Sequence, residues 1–293
     1  MIKKPLISIG LPVFNGELFL SKTITSIIKQ NFLDFELIIS NNASTDKTSG
    51  ICKKFLSSDT RIKYFDHLKS IGMLNNYRFV LEKAKGKYFM WIAADDLLSD
   101  KEYLSKMIKK FNEDIDYVFP DVSIIDSEDK IKRTKVMLPF LNAKTKFDFA
   151  LASIKNNSQI MYSLFRTSNI KTDYHLLERF KNFSCYGEGY FVHVTAVERK
   201  GIFVKEACKL YRRHSKNQST SVLPFSRIYC YIKYAITSLK YFYENKYFSK
   251  SQKLKLIIKM LSRQLPYLFR LTLSMIAKKF PKLNKLRLNL FNK

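Results

Sequence analysis

The sequence predicts an α/β protein, a Rossmann-like and mostly parallel sheet flanked by helices, followed by a C-terminal basic amphipathic helical region. Three observations carry this reading. Short apolar runs begin at residues 6, 35, 62 and 88 with helical patterns between them, the signature of consecutive βαβ units. The runs are apolar without alternation, as expected of strands covered by helices on both faces. The last quarter then changes texture: residues 223–293 hold 16 Lys and Arg and one acid, Glu244, among aromatics and aliphatics at helical spacing.

Residues 6–11 (LISIGL) read as the first strand, stopped by Pro12. A helix follows over 18–30, where Leu20, Ile24, Ile27 and Ile28 share one side. Residues 35–40 (FELIIS) form the second strand, and Ser44-Thr45-Asp46 supplies an N-cap for a helix to about residue 55. Residues 62–65 make the third strand, 75–83 a helix, and 88–92 (YFMWI) the fourth strand, with Trp91 in the core. Ser99 or Asp100 can start a helix over 101–112. Further on, residues 185–190 (CYGEGY) lead a helix to residue 200, followed by a strand over 201–204 and by LYRRH at 210–214. His67, His175 and His193 show no partner pattern and read as structural.

Composition narrows the class. In 293 residues, 46% are hydrophobic and only 8 are Gly and 7 Pro, which excludes collagen, a low-complexity linker and a wholly disordered chain. Four scattered cysteines without a CxxC pair support neither a disulfide framework nor a zinc site, and imply reduced thiols. The apolar stretch after Lys3-Lys4 contains two prolines and a glycine and no small-residue cleavage pattern, so a secretory signal is not expected. No window reaches about 18 uninterrupted apolar residues, so no membrane span is expected. The chain reads as cytoplasmic.

The net charge of +27 is uneven: +4 over residues 1–100, +8 over 101–222 and +15 over 223–293. In the last segment Leu254, Ile257, Ile258, Leu261 and Leu265 form an apolar stripe with Lys255, Lys259 and Arg263 off it. Such helices suit an anionic membrane surface, where each Lys or Arg contributes about 1 kcal/mol. The alternatives are a stripe packed on the core with solvated lysines, and nucleic-acid binding. No RNP, helix-turn-helix or zinc spacing accompanies the charge, so a nucleic-acid partner is not expected.

In parallel sheets of this kind ligands bind beyond the carboxyl ends of the strands. Three polar clusters fall there: residues 12–17 (PVFNGE), 41–46 (NNASTD) and 93–96 (AADD). There is no GxGxxG after the first strand and no GxxxxGK[ST], which disfavours a dinucleotide and excludes a P-loop hydrolase. A diphosphate would need another counter-charge. Asp95 and Asp96, adjacent at the end of an apolar strand, repel each other unless a cation joins them. Mg²⁺ or Mn²⁺ shared with substrate phosphate is the usual solution; the alternative is a helix cap.

These loops resemble the nucleotide-diphospho-sugar glycosyltransferases of family 2, with the GT-A fold. The opening ISIGLPVFNGELFLSKTITSIIKQNFLDFELIISNNASTD is similar to that family's "strand, P-x-x-N, helix, strand, D-x-x-S-T-D" start, and WIAADDLL to its aspartate motif. The resemblance is strong over about residues 5–110 and continues weakly to about 220. It implies that Pro12, Phe14 and Glu17 line the base and ribose pocket, with Asn15 ordering the loop. Asn41 stands where the family commonly has an aspartate that reads uracil, a replacement that weakens the case for UDP. Asp95 and Asp96 would hold the metal and a ribose hydroxyl, although Ala93 replaces a further aspartate. CYGEGY resembles the Glu-Asp base motif, with Gly189 in the second acidic position, leaving Glu188 as the base; Asp173 is the alternative acid. LYRRH resembles the "Y-R-x-H" ending, with His214 as a further metal ligand and Arg212 or Arg213 facing the pyrophosphate.

The resemblance thus implies an inverting, metal-dependent glycosyltransferase that uses a nucleotide-diphosphate sugar, UDP-linked first among them. Residues 1–222 would form the GT-A domain (1–115 for the donor, 116–222 for the acceptor) and 223–293 a membrane-associating tail. The acceptor would be a glycan or lipid-linked oligosaccharide in cell-surface polysaccharide assembly, at the inner face of the cell membrane. The alternative is a catalytically silent homologue that binds a nucleotide sugar or a partner transferase there.

Overall fold

A computed structural model describes residues 4–134, 137–155, 159–178, 187–214 and 224–279. The first half is the expected alternation: β1 (Ile7–Val13), α1 (Leu20–Ile28), β2 (Phe35–Asn41), α2 (Thr48–Ser58), β3 (Ile62–Asp66), α3 (Met73–Lys83) and β4 (Tyr88–Trp91). All pairings among these four strands are parallel, in the order β3-β2-β1-β4. Ile7, Ile9 and Leu11 pack with Leu20, Ile24 and Ile27 of α1 on one face, while Phe89 and Trp91 pack with Val80 of α3 on the other. Gly10 is required on that second face, because a Cβ there would stand 2.7 Å from both the Phe89 ring and Val80.

β1 runs through Pro12 instead of stopping there. The carbonyls of Leu6 and Gly10 accept from Tyr88 and Ile92, so even-numbered residues of β1 address β4. The last ladder pair on that side is Gly10 with Trp91, and the missing N–H of Pro12 falls beyond it, costing no ladder bond.

The second half completes a mixed sheet. It contains β5 (Leu97–Leu98), α4 (Tyr103–Ile108), β6 (Tyr117–Ile125), β7 (Ile131–Arg133), α5 (Lys146–Lys155), β8 (Leu164–Arg166), α6 (Thr167–Asp173), α7 (His175–Glu178), α8 (Gly187–Glu198) and β9 (Gly201–Arg212). The sheet continues as β4-β8-β6-β9-β5, with β7 paired to β6; β8 is antiparallel to both neighbours. β9 is one continuous strand where the sequence reads as a strand and a separate segment. Its pairing with β6 jumps from Val204 to Cys208 while β6 advances only from Pro120 to Asp121. The looped-out residues 205–207 bulge the strand, which then pairs antiparallel with β5.

The last described residues form a helical pair, α9 (Pro224–Glu244) and α10 (Lys250–Lys279), the latter running on through Pro266. Tyr234, Ser238 and Phe242 are the buried face of α9, and Leu256, Met260 and Gln264 that of α10. His193 of α8 joins this packing as a structural residue: its two ring nitrogens meet Ser153 Oγ at 2.9 Å and Tyr234 Oη at 2.8 Å. Burial holds it neutral, its pKa lowered to about 3. No helix among the described residues is long and apolar enough to cross a membrane.

Candidate active site

The loops after β1 and β2 are zipped together at the carboxyl edge of the sheet. Asn15, in the left-handed backbone region at φ 50°, donates its N–H to Ser44 Oγ (2.8 Å) and accepts the Thr45 N–H on Oδ1 (2.9 Å). The Gly16 and Glu17 N–H groups reach Thr48 Oγ1 and Asp46 Oδ2 at 2.8 and 3.0 Å, and Glu17 Oε2 returns to accept from Lys47 N at 3.1 Å. Glu17 is therefore engaged at the start of α2, where Asp46 of the expected Ser44-Thr45-Asp46 cap accepts the N–H of Thr48, the first helical residue, on Oδ1 at 3.0 Å. Pro12 is buried, whereas Phe14 and Asn15 are exposed beside this seam.

Asn41 is buried and fully engaged. Its amide donates to Asp66 Oδ1 (2.8 Å) and Tyr64 Oη (3.3 Å), and its carbonyl accepts from Ser44 N (3.2 Å). Asp66 is its register partner on β3; it also accepts from Ser49 Oγ and is exposed. The carboxylate at this edge thus sits on β3, one strand over from the position that the sequence resemblance assigns to it. Asn41→Asp is expected to place two carboxylates in contact and cost about 1 kcal/mol at neutral pH. Urea titration checks this, and the loss should shrink as pH falls and the pair takes up a proton.

The two aspartates after β4 face opposite ways. Asp96 is completely buried: Oδ2 meets the Lys209 ammonium at 2.9 Å and Oδ1 accepts from Arg212 N at 3.0 Å. Burial pushes its carboxyl up, against the pull of Lys209. Asp95 is partly exposed and pairs through Oδ2 with His214 Nε2 at 3.0 Å. The loop that carries them is held by Thr23, which donates to the Ala94 carbonyl at 2.9 Å, and by Arg212, whose Nε donates to the Asp95 carbonyl at 2.8 Å.

Arg212 is a buried clamp. It also donates to the Asp126 carbonyl (2.8 Å) and pairs with Asp129 in the β6–β7 turn. Its guanidinium lies 4.5 Å from the centroid of the Phe19 ring, and the His214 ring lies 4.8 Å from that same ring. Phe19, at the start of α1, thereby seats His214 beside Asp95.

Glu188, in the first turn of α8, is half-buried. Burial raises its pKa to about 7, with Lys209 pulling the other way. Its charge is also felt by Tyr77, Tyr162 and Tyr211. Lys209 lies 3.7 Å from the centroid of the Tyr162 ring, so the aspartate loop and Glu188 share one buried cation. Cys185 and Tyr186 of the CYGEGY segment lie outside the described residues. Asp173 is elsewhere, in a two-pronged ion pair with Arg199 at 2.7 and 2.8 Å.

The family profile of Glycosyl transferase family 2 matches residues 8–186. The chain belongs to glycosyl transferase family 2. Among similar proteins, the GalNAc(5)-diNAcBac-PP-undecaprenol beta-1,3-glucosyltransferase of Campylobacter jejuni is 29% identical over 212 residues, 71% of this chain and 65% of its own length. The chain therefore spans just under two thirds of that relative. An uncharacterized glycosyltransferase of Methanocaldococcus jannaschii is 26% identical over 84% of this chain and 85% of its own. In fold, S. aureus TarS in complex with UDP gives a TM-score of 0.63 at 17% identity, covering 90% of this chain and 72% of the TarS chain. A Pyrobaculum calidifontis mannosyltransferase in complex with GDP-Man and Mn²⁺ gives 0.57 at 14% identity, covering 99% and 80%. The family 2 glycosyltransferase is thus a GT-A-type α/β protein, as its strand-and-loop pattern leads one to expect.

Residues that the sequence alone does not single out are Asp66, Lys209 and Phe19. Asp66 carries a readable signal, since it ends the third parallel strand. Lys209 alternates with apolar neighbours like a solvated strand residue, and only the bulge in β9 turns it inward.

Proposed function

We propose that this glycosyltransferase is an inverting enzyme that moves a sugar from a nucleotide diphosphate to an acceptor hydroxyl. The observation that carries the reading is Glu188, a carboxyl with a pKa near neutrality, sharing the Lys209 charge with the aspartate loop of the same sheet edge. In a single in-line displacement the acceptor oxygen attacks the anomeric carbon, its proton passes to Glu188, and the nucleoside diphosphate departs from the opposite face. The nucleotide would lie along the zipped edge of Pro12, Phe14, Asn15, Glu17 and Asn41, with Asp66 as an acceptor for a base N–H.

Asp95 and His214 fit a divalent ion shared with the donor. One carboxylate and one imidazole, 3.0 Å apart and both partly exposed, leave positions for diphosphate oxygens and water, the donor set of Mn²⁺ or Mg²⁺. No cluster of three or more metal-ligating side chains occurs among the described residues, so substrate would have to complete the shell. Such an ion would offset charge on the leaving diphosphate. Asp96, with both oxygens engaged, supports the loop from below in this reading instead of ligating.

UDP is the first candidate nucleotide: TarS structures hold UDP and UDP-GlcNAc, although the Pyrobaculum neighbour holds GDP-Man. The name of the Campylobacter relative, with its PP-undecaprenol substrate, supports a lipid-linked glycan acceptor in cell-surface polysaccharide assembly. With it goes a peripheral, cytoplasmic-side position at the membrane through residues 223–293. A panel of nucleotide sugars with Mn²⁺ is expected to raise the melting temperature, as any ligand specific to the folded form does, and Asp95→Ala is expected to abolish the metal-dependent part. Donor hydrolysis that proceeds equally without metal or without Asp95 would overturn the assignment.

A further inference from the structure

We infer that the outer face of α10 is a membrane-insertion surface, through which the enzyme lies in the headgroup region of an anionic bilayer; the inference rests on the proposed membrane association and specifies its means. The apolar stripe of this helix does not pack on the core. Leu254, Ile258, Leu261, Leu265 and Phe269 are 58, 57, 37, 58 and 61% exposed. Their spacings of four, three, four and four residues put all five on one side of the helix, over a length of about 22 Å. The core is served by a different face, that of Leu256, Met260 and Gln264.

A row of large apolar side chains turned to water is costly unless something covers it. Charge selects what. Lys255, Lys259 and Arg263 are exposed along one flank of the stripe, and residues 223–293 contain 16 basic residues against Glu244 alone. Two copies meeting through this face would bring like charges together. An anionic lipid surface supplies both the apolar depth for the stripe and the counter-charge for the flank.

The test uses the full chain and sedimentation with vesicles of phosphatidylcholine alone or mixed with phosphatidylglycerol. Wild type is expected to bind the mixed vesicles, and the double variant Ile258→Glu, Leu261→Glu to lose about tenfold or more in partitioning while retaining donor hydrolysis in solution. A Leu261→Trp variant should show blue-shifted emission and quenching by brominated acyl chains, since the native Trp91 is fully buried and provides a constant background. If wild type binds but the double variant binds equally, and high salt releases both, insertion is refuted while surface attraction stands. If wild type ignores the mixed vesicles, the membrane reading itself falls. If the stripe variants instead convert a dimer to a monomer with no change on vesicles, the face is a self-association surface and the inference is overturned.

Discussion

Glu188→Gln is expected to lower kcat by about 10²- to 10⁴-fold, with donor binding nearly unchanged. Gln preserves the shape of the side chain and its place in the first turn of α8, and removes only its capacity to take a proton. The wild-type pH profile should carry the same signature. A base works deprotonated, and burial holds this carboxyl at a pKa of about 7, so kcat/KM should rise as pH increases through about 7 and level above it. Stability runs in the opposite sense. The unfolded chain releases this proton near the ordinary value of 4.5, so between about 4.5 and about 7 the folded state binds more protons and loses stability as pH rises. Initial rates and urea titrations across the same pH series check both signs. A profile that is flat through neutrality would remove Glu188 from the role of base.

Lys209→Met is expected to be the most damaging single change to stability, at about 3–5 kcal/mol. Asp96 would then be left completely buried without its ammonium partner. Burial already pushes that carboxyl up, so the variant should survive best in acid, where Asp96 accepts a proton, and weaken as pH rises. The double variant Asp96→Leu, Lys209→Met should recover much of the loss, because a buried ion pair exchanged for apolar groups is often neutral. Because Lys209 also lowers the pKa of Glu188, any active Lys209→Met enzyme should have its pH–rate limb displaced upward. Chemical denaturation of the two single variants and the double variant separates these effects.

The parallel half of the fold is legible in the sequence because the hydrophobic periodicities agree there, although Pro12 does not end β1. Runs such as YFMWI are apolar on both faces, and Leu20, Ile24 and Ile27 recur at helical spacing. The mixed half is not, for physical reasons. β8 has three residues and β5 two, too few for any periodicity. β6 carries Pro120 and Asp121 in its middle, and Lys205-Glu206 divide β9 in sequence although they form the bulge of one strand. The three loops of the site are visible because parallel sheets present ligands at one edge. What each side chain does within them is not. Asp95 and Asp96 are equivalent in sequence, and only Lys209 and the Arg212 amide, 113 and 116 residues beyond Asp96, decide which one is turned inward. The apolar stripe of α10 is legible as a stripe, whereas its outward direction depends on where Leu256 and Met260 find a core.

The sheet order places β5 at the far edge, against β9, although it follows β4 in the chain by only a few residues. The aspartate loop is consequently a strap stretched over the rim from the centre of the sheet to its border, anchored at both ends by strands from different halves. A shift of β9 or β5 would be transmitted directly to Asp95, whose carbonyl is held by Arg212 of β9. Neither aspartate can therefore be repositioned without moving the bent strand β9, whose Lys209 and Arg212 hold the loop from the other half of the sheet.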